Sequence, residues 1–264
     1  MLLPVVAAQF SITLDIQHNL QGILSFVQQA QHDELIVLPE GALSGYADDP
    51  TFLQRLDASE IDAAIHILAE AVYQKHVHLV VGSCLFEDDA WWNTGIYFSP
   101  QGKRFVYRKV NLAIHEQTHF SAGSELPVFP IQCKEGKVNI GIQLCREIRF
   151  PEQWQALVMQ GADLLIYLTN ATNPHAHLSV WRSHLVSRAA ENQRFVISAN
   201  TAHPHQHCPT CIIAPSGQIL QEILSPQRTH LRSTLDITQN SNWYLNQRRS
   251  DIVNTKLYLS VHSQ

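Results

Sequence analysis

What most constrains the fold of this chain is an alternation of short, β-branched apolar runs with segments of helical period. The runs occupy residues 5–10, 35–38, 79–82, 96–98, 138–144, 164–168, 195–198 and 211–214. Bounded by polar or turn residues, such runs read as buried strands. Between them, Ile61, Ile65, Leu68 and Val72 repeat on one face of a predicted helix over 57–75, where Asp57 followed by Glu60 has the form of a capping box. A second helix is predicted over 151–161. Its proline suits a first turn, Trp154, Leu157 and Val158 share a face, and Gly161 suits the position just past the end. Trp181, Leu185 and Ala189 mark a helix over 178–192, and Leu20, Ile23 and Val27 mark one over 19–30. Interleaving of this kind predicts an α/β architecture in which helices cover the sheets. No linker, low-complexity block, internal repeat or shift of composition divides the 264 residues, so a single domain over 1–264 is expected.

Composition narrows the function. Charged residues make up 16% of the chain and the formal net charge is −5, and the isoelectric point is near 6.3. No basic run stands out, which argues against nucleic acid or an anionic membrane as partner, since both require clustered Lys and Arg. No apolar run approaches the roughly 18 residues of a membrane span, and the opening MLLPVVAAQF, broken by Pro4, reads as a strand and not a signal peptide. Five cysteines at irregular spacing, Cys84, Cys133, Cys145, Cys208 and Cys211, do not suit a disulfide framework. A reducing cytoplasm is the expected location.

Several predicted strands run into a reactive or polar residue: 35–38 into Pro39-Glu40, 138–144 into Cys145, 164–168 into Asn170. Ligands of α/β sheets collect beyond the carboxyl ends of strands, so these positions are candidates to share one site. A helix start near Pro151 could favour a Cys145 thiolate. Taken singly, each residue also has an ordinary reading: Cys145 as a small buried hydrophobe, Glu40 as a cap, Lys109 as a solvated lysine on a strand edge.

Taken together, the three resemble the nitrilase, or carbon–nitrogen hydrolase, superfamily over nearly the whole chain. Leu38-Pro39-Glu40-Gly41-Ala42-Leu43-Ser44-Gly45-Tyr46 looks like its first motif. Asn93-Thr94, Pro100-Gln101-Gly102 and Tyr107-Arg108-Lys109 are similar to the segment that delivers its lysine. Cys145-Arg146-Glu147-Ile148-Arg149-Phe150-Pro151-Glu152 resembles its nucleophile motif, and Arg188-Ala189-Ala190-Glu191-Asn192 and Pro215-Ser216-Gly217 match further landmarks.

The resemblance implies an αββα sandwich that dimerises through one helical layer into αββα–αββα. It makes Cys145 the nucleophile toward a carbonyl or nitrile carbon, Glu40 the general base, and Lys109 with the Arg146 backbone N–H the oxyanion stabiliser. Glu116, followed by Phe120 and Gly123, fits a second glutamate that positions Lys109 and the substrate. Asn170 and Tyr46 are expected on the substrate side. The implied partner is a small amide or N-carbamoyl compound, with no metal or organic cofactor.

Departures from the family pattern bear on specificity. Amidase-like members usually carry Cys-Tyr-Asp where this chain has Cys145-Arg146-Glu147. An Arg146 side chain reaching the pocket could pair with a substrate carboxylate; pointing away, it would salt-bridge Glu147 or another acid, and this second arrangement is the one expected. Arg149 is likewise expected to be structural. The run Thr169-Asn170-Ala171-Thr172-Asn173 replaces a Pro or Ala followed by an aromatic residue, so specificity is expected to lie in residues 170–177 and 116–123. Amide hydrolysis is expected over nitrile hydrolysis, because nitrilases of the family usually carry Cys-Trp-Glu and are longer. The rival from another class is a zinc-binding or interaction protein using His203, His205, His207, Cys208 and Cys211, whose two-residue cysteine gap is a common zinc spacing. The absence of a second Cys/His pair at standard distance weighs against it.

Overall fold

Two six-stranded sheets carry the molecule, in a computed structural model that describes residues 1–249 and 251–252. The part of the expected domain at Ser250 and 253–264 lies outside the described residues. In chain order the elements are β1 (Leu2–Gln9), α1 (Ile16–Gln29), β2 (Leu35–Val37), α2 (Ala58–Lys75), β3 (His78–Glu87), β4 (Ala90–Phe98), β5 (Arg104–Arg108), β6 (Val128–Cys133), β7 (Gly136–Leu144), α3 (Pro151–Met159), β8 (Leu164–Leu168), α4 (Leu178–Asn192), β9 (Phe195–Ala199), β10 (Thr210–Ile213), β11 (Ile219–Ile223) and β12 (Thr229–Asp236).

The first sheet has the order β12-β1-β2-β3-β4-β5 and the second β11-β10-β9-β8-β7-β6. Each has three parallel strands at its heart, β1-β2-β3 and β9-β8-β7, with antiparallel pairing beyond. One apolar cluster joins the facing sheets, with Val5, Val37 and Tyr97 meeting Ile140, Ile166 and Ile197. A second packs Leu20, Ile23, Leu68 and Val72 of α1 and α2 onto the outer face of the first sheet. A third packs Trp154, Leu157, Leu185 and Ala189 of α3 and α4 onto the second sheet. The layers are therefore helix, sheet, sheet, helix, as expected from the sequence. Each aliphatic side chain fully buried in these layers contributes about 1.5–3 kcal/mol.

The apolar runs seen in the sequence are the eight interior strands, and the four strands without such a signal, β5, β6, β11 and β12, are the four sheet edges. Edge strands face water, so polar residues interrupt them, as Arg232 and Ser233 do in β12. Helix α1 starts at Ile16, earlier than its apolar period suggests, because the Asp15 carboxylate caps the His18 N–H at 2.9 Å. Asp57 caps α2 through the Ser59 N–H at 2.8 Å. The expected return bond from Glu60 does not form; its carboxylate instead accepts from Gln17 of α1 at 2.9 Å.

Candidate active site

The candidate residues meet where β2, β5, β7 and β8 end. Glu40 lies three residues past β2, and its turn is pinned to β3 by bonds from Leu38 N to Val80 O, Gly82 N to Pro39 O and Leu43 N to Gly82 O, all 2.9–3.1 Å. The approach is so close that a Cβ on Gly82 would sit 2.5 Å from the Glu40 Cα, so only glycine fits. Lys109 directly follows β5. Its N–H donates to Asn93 O at 2.9 Å and its carbonyl accepts from Gly123 N at 2.8 Å, which fixes the residue against β4. Cys145 directly follows β7 with φ of 39°, in the left-handed region, and its carbonyl accepts from the Tyr167 hydroxyl at 2.7 Å. A non-glycine residue held there carries strain of about 1–2 kcal/mol at a sharp strand end, where Cys145 is half-buried.

Between these turns lies a knot of buried charge. Lys109 Nζ is 3.1 Å from Glu40 Oε1 and 2.9 Å from Glu116, and all three side chains have no exposed area. The Asn93 amide runs parallel to this ammonium, donating to Glu40 Oε1 at 2.9 Å and to Glu116 Oε1 at 2.8 Å. Glu116 also accepts from the Tyr46 hydroxyl at 2.8 Å and from Ala113 N at 2.6 Å. Glu40 Oε2 has one donor among the described residues, the Asn170 backbone N–H at 3.1 Å. Glu116 is thus saturated by donors, while one oxygen of Glu40 is lightly held.

The electrostatics follow from that arrangement. Burial opposes the Lys109 charge, but the Glu40 and Glu116 carboxylates outweigh it and hold its pKa above the ordinary lysine value. Glu116 is itself buried, yet Lys109 and the donors around it hold its pKa below the ordinary carboxylate value. The Cys145 thiol is pushed up to about 12, first by burial and then by the negative charge of Glu40, with Lys109 pulling the other way. The resting Cys145 side chain is therefore a neutral thiol near a carboxylate, and forming its thiolate requires removal of a proton.

Glu147 ties the lysine and cysteine turns together. Buried completely, it accepts from the Tyr107 hydroxyl at 2.6 Å, from Val110 N at 2.9 Å, from Asn111 N at 3.0 Å and from Leu144 N at 2.8 Å. This corrects the expected Arg146–Glu147 pair: Glu147 is occupied by neutral donors, and Arg146 is exposed on the pocket wall with no carboxylate partner among the described residues. Arg149 also faces the pocket, donating to His184 Nε2 at 3.0 Å and lying 5.6 Å over the Trp181 ring, which combines lining with a structural role.

The pocket itself encloses about 650 Å³ and has Cys145 on its wall beside Tyr46, Arg146 and the loop from Asn170 to Asn173. Of the sequence-derived candidates, Glu40, Lys109, Glu116 and Asn170 join one hydrogen-bonded group that Tyr46 closes. Cys145 and Arg146 flank it. Sequence reasoning did not single out Asn93, although it stands in the segment that announces the lysine, nor His115, whose Nε2 lies 3.1 Å from the Tyr46 hydroxyl. Along the rival segment, Cys208 and Cys211 are buried in the apolar layer under α4. Burial raises both thiols. His207 Nδ1 accepts from Asn173 N at 2.8 Å, so this histidine shapes the pocket loop.

The carbon–nitrogen hydrolase family profile matches residues 5–240. A 2-oxoglutaramate amidase from Bacillus subtilis is 30% identical over 213 residues, covering 77% of this chain and 79% of that protein. A probable nitrilase from Schizosaccharomyces pombe is 28% identical over 235 residues, covering 84% of each. The NitN amidase from Nesterenkonia sp. AN1 superposes with a TM-score of 0.80 at 25% identity, covering 95% of this chain and 98% of that one. A variant of that Nesterenkonia amidase has been seen in complex with butyramide, and another shows covalent addition of the acetamide moiety of fluoroacetamide at its active-site cysteine.

Proposed function

Because the chain belongs to the carbon–nitrogen hydrolase family, we propose that it hydrolyses a small carboxamide through a thioester on Cys145. The observation that carries this reading is the buried Lys109 ammonium shared between Glu40 and Glu116 at 3.1 and 2.9 Å, next to a thiol at the pocket wall.

The chemistry divides among these groups. Glu40 takes the Cys145 proton as the sulfur attacks the amide carbon, so that no free thiolate has to accumulate. Two of the three Lys109 N–H donors are engaged by carboxylates, which leaves the third for the oxygen that becomes negative. A preorganised donor of this kind, aided by the Arg146 backbone N–H, supplies about 3–4 kcal/mol of transition-state stabilisation. As the tetrahedral intermediate collapses, protonated Glu40 returns its proton to the leaving nitrogen and ammonia or an amine departs. Glu40 then deprotonates a water that attacks the thioester, the C–S bond breaks to release the acid, and the proton on Glu40 returns to the Cys145 sulfur. Glu116 stays ionised throughout as the fixed counter-ion that orients Lys109.

The substrate is a carboxamide that bears a carboxylate at its far end. Supporting this are Arg146, exposed in the pocket without an acidic partner among the described residues, and Arg149 beside it, against one acid, Asp48, on the same wall. The name of the Bacillus subtilis relative, a 2-oxoglutaramate amidase, accords with such a substrate. Acid-quenching the enzyme during turnover of an ω-amide of a dicarboxylate and mapping peptide masses tests the proposal. The acyl mass should be on the Cys145 peptide, and absence of any acyl adduct under turnover in both wild type and Glu40→Gln would contradict it.

A further inference from the structure

At the opposite end of the first sheet, the turns entering β2 and β3 bring together His32, Asp33 and His76. His32 Nδ1 is 3.0 Å from Asp33 Oδ2 and His76 Nδ1 is 2.9 Å from Asp33 Oδ1. The two imidazoles stack 4.1 Å apart and 10° from parallel. One donor atom from each residue lies within 4.8 Å of the others. The backbone holds this arrangement: Asp33 and His76 have φ of 62° and 55°, and Asp33 N donates to His76 O at 2.9 Å. His76 occupies the left-handed position after α2 that normally favours glycine or asparagine, so capping the helix does not explain a histidine there. Strained positions of this kind that carry polar side chains are the ones to examine for function.

We propose that His32, Asp33 and His76 form a binding site for a divalent transition metal of the zinc type. Two imidazole nitrogens and one carboxylate suit a borderline cation. Coordination at about 2.0–2.2 Å from each donor requires the two imidazoles to rotate out of their stack until both Nδ1 atoms point at one ion, a movement their exposure on the surface permits. The metal takes the place of the hydrogen that points from each Nδ1 to the carboxylate, and a metal-bound imidazole carries its N–H on Nε2. His32 is 66% exposed and His76 45%, so an ion reaches the site and water completes its shell. A strand run of roughly 20 Å separates these turns from Glu40, so the ion takes no part in the amide chemistry. It fastens the turn after α1 to the turn after α2, the two helices that cover the first sheet.

The test is calorimetric titration of Zn²⁺ into metal-free protein without a histidine tag, repeated in Cys145→Ala to remove the catalytic thiol as a ligand. One saturable site per chain is expected in both. His32→Ala, an exposed side chain whose loss leaves the fold alone, and Asp33→Asn should each weaken it at least tenfold. A His203→Ala/His205→Ala double variant should bind as wild type does, and Zn²⁺ should raise Tm in wild type but not in His32→Ala. The proposal is overturned if no one-to-one site is found, if His32→Ala binds undiminished, or if binding disappears with His203 and His205 instead.

Discussion

Beneath the pocket lining, a floor of Glu40, Lys109 and Glu116 has no exposed area, with Asn93 donating to both carboxylates, whereas on the wall Arg146 stands exposed with no carboxylate partner among the described residues. Floor residues are held by backbone bonds at strand ends and by a close approach that only Gly82 allows. The wall is built from the loop Asn170 to Asn173 and the start of α4, joined by contacts such as His207 to Asn173. A floor specified several times over keeps one reaction geometry. A wall whose charged groups face solvent can change what it recognises without disturbing that geometry.

The largest effect that sharpens this contrast is expected from Lys109→Met. It removes the proposed oxyanion donor and leaves two buried carboxylates facing each other, so kcat should fall about 10²–10³-fold and stability by about 3–5 kcal/mol. Adding Glu116→Gln should restore much of the stability, read by denaturant unfolding, and none of the rate. If Lys109→Met kept wild-type stability, the floor would not be the tightly coupled unit described.

On the wall, Arg146→Ala should act through recognition alone. For an ω-amide carrying a carboxylate, KM should rise about 10–100-fold, the loss of a hydrogen bond to a charged group, with kcat little changed. A neutral amide of the same length should be converted within about twofold of wild type. Equal losses on both substrates would assign Arg146 to the floor.

The pH behaviour of the thiol is a smaller and more local test. With its pKa raised to about 12, Cys145 stays protonated through the neutral range, so ultraviolet titration of thiolate should show no Cys145 step between about pH 6 and 10. A step near pH 7 that vanishes in Cys145→Ala would reverse the picture of a neutral nucleophile activated by Glu40. The smallest change is expected from Cys208→Ser or Cys211→Ser. Both thiols pack in the apolar layer under α4, so stability falls by about 1–3 kcal/mol while turnover at 25 °C stays within about twofold.

The same division explains how much could be read from the sequence. Interior strands are buried on both faces, so they stand out as apolar runs; the edges β5, β6, β11 and β12 mix polar and apolar residues and do not. Lys109 directly follows one of those edges and by itself looks solvated. It is buried because Asn93 and the loop bearing Glu116 close over it, contacts between residues far apart in the chain. Motif order singles out Glu40, Lys109, Glu116 and Cys145, which the fold brings to one place, but the bridging position of Asn93 becomes visible only when β4 pairs with β3 and β5. The Arg146 side chain could not be placed because the fate of Glu147 depends on Tyr107 and the turn after Lys109, which no local pattern encodes.

Ammonia release is the most direct test of the central claim. Primary amides, ω-amides of dicarboxylates, N-carbamoyl amino acids and nitriles would be assayed with wild type and Cys145→Ala side by side. The account predicts ammonia from wild type, fastest with an ω-amide, and none above background from a Cys145→Ala protein with an unchanged circular dichroism spectrum. Equal release by both proteins would contradict it.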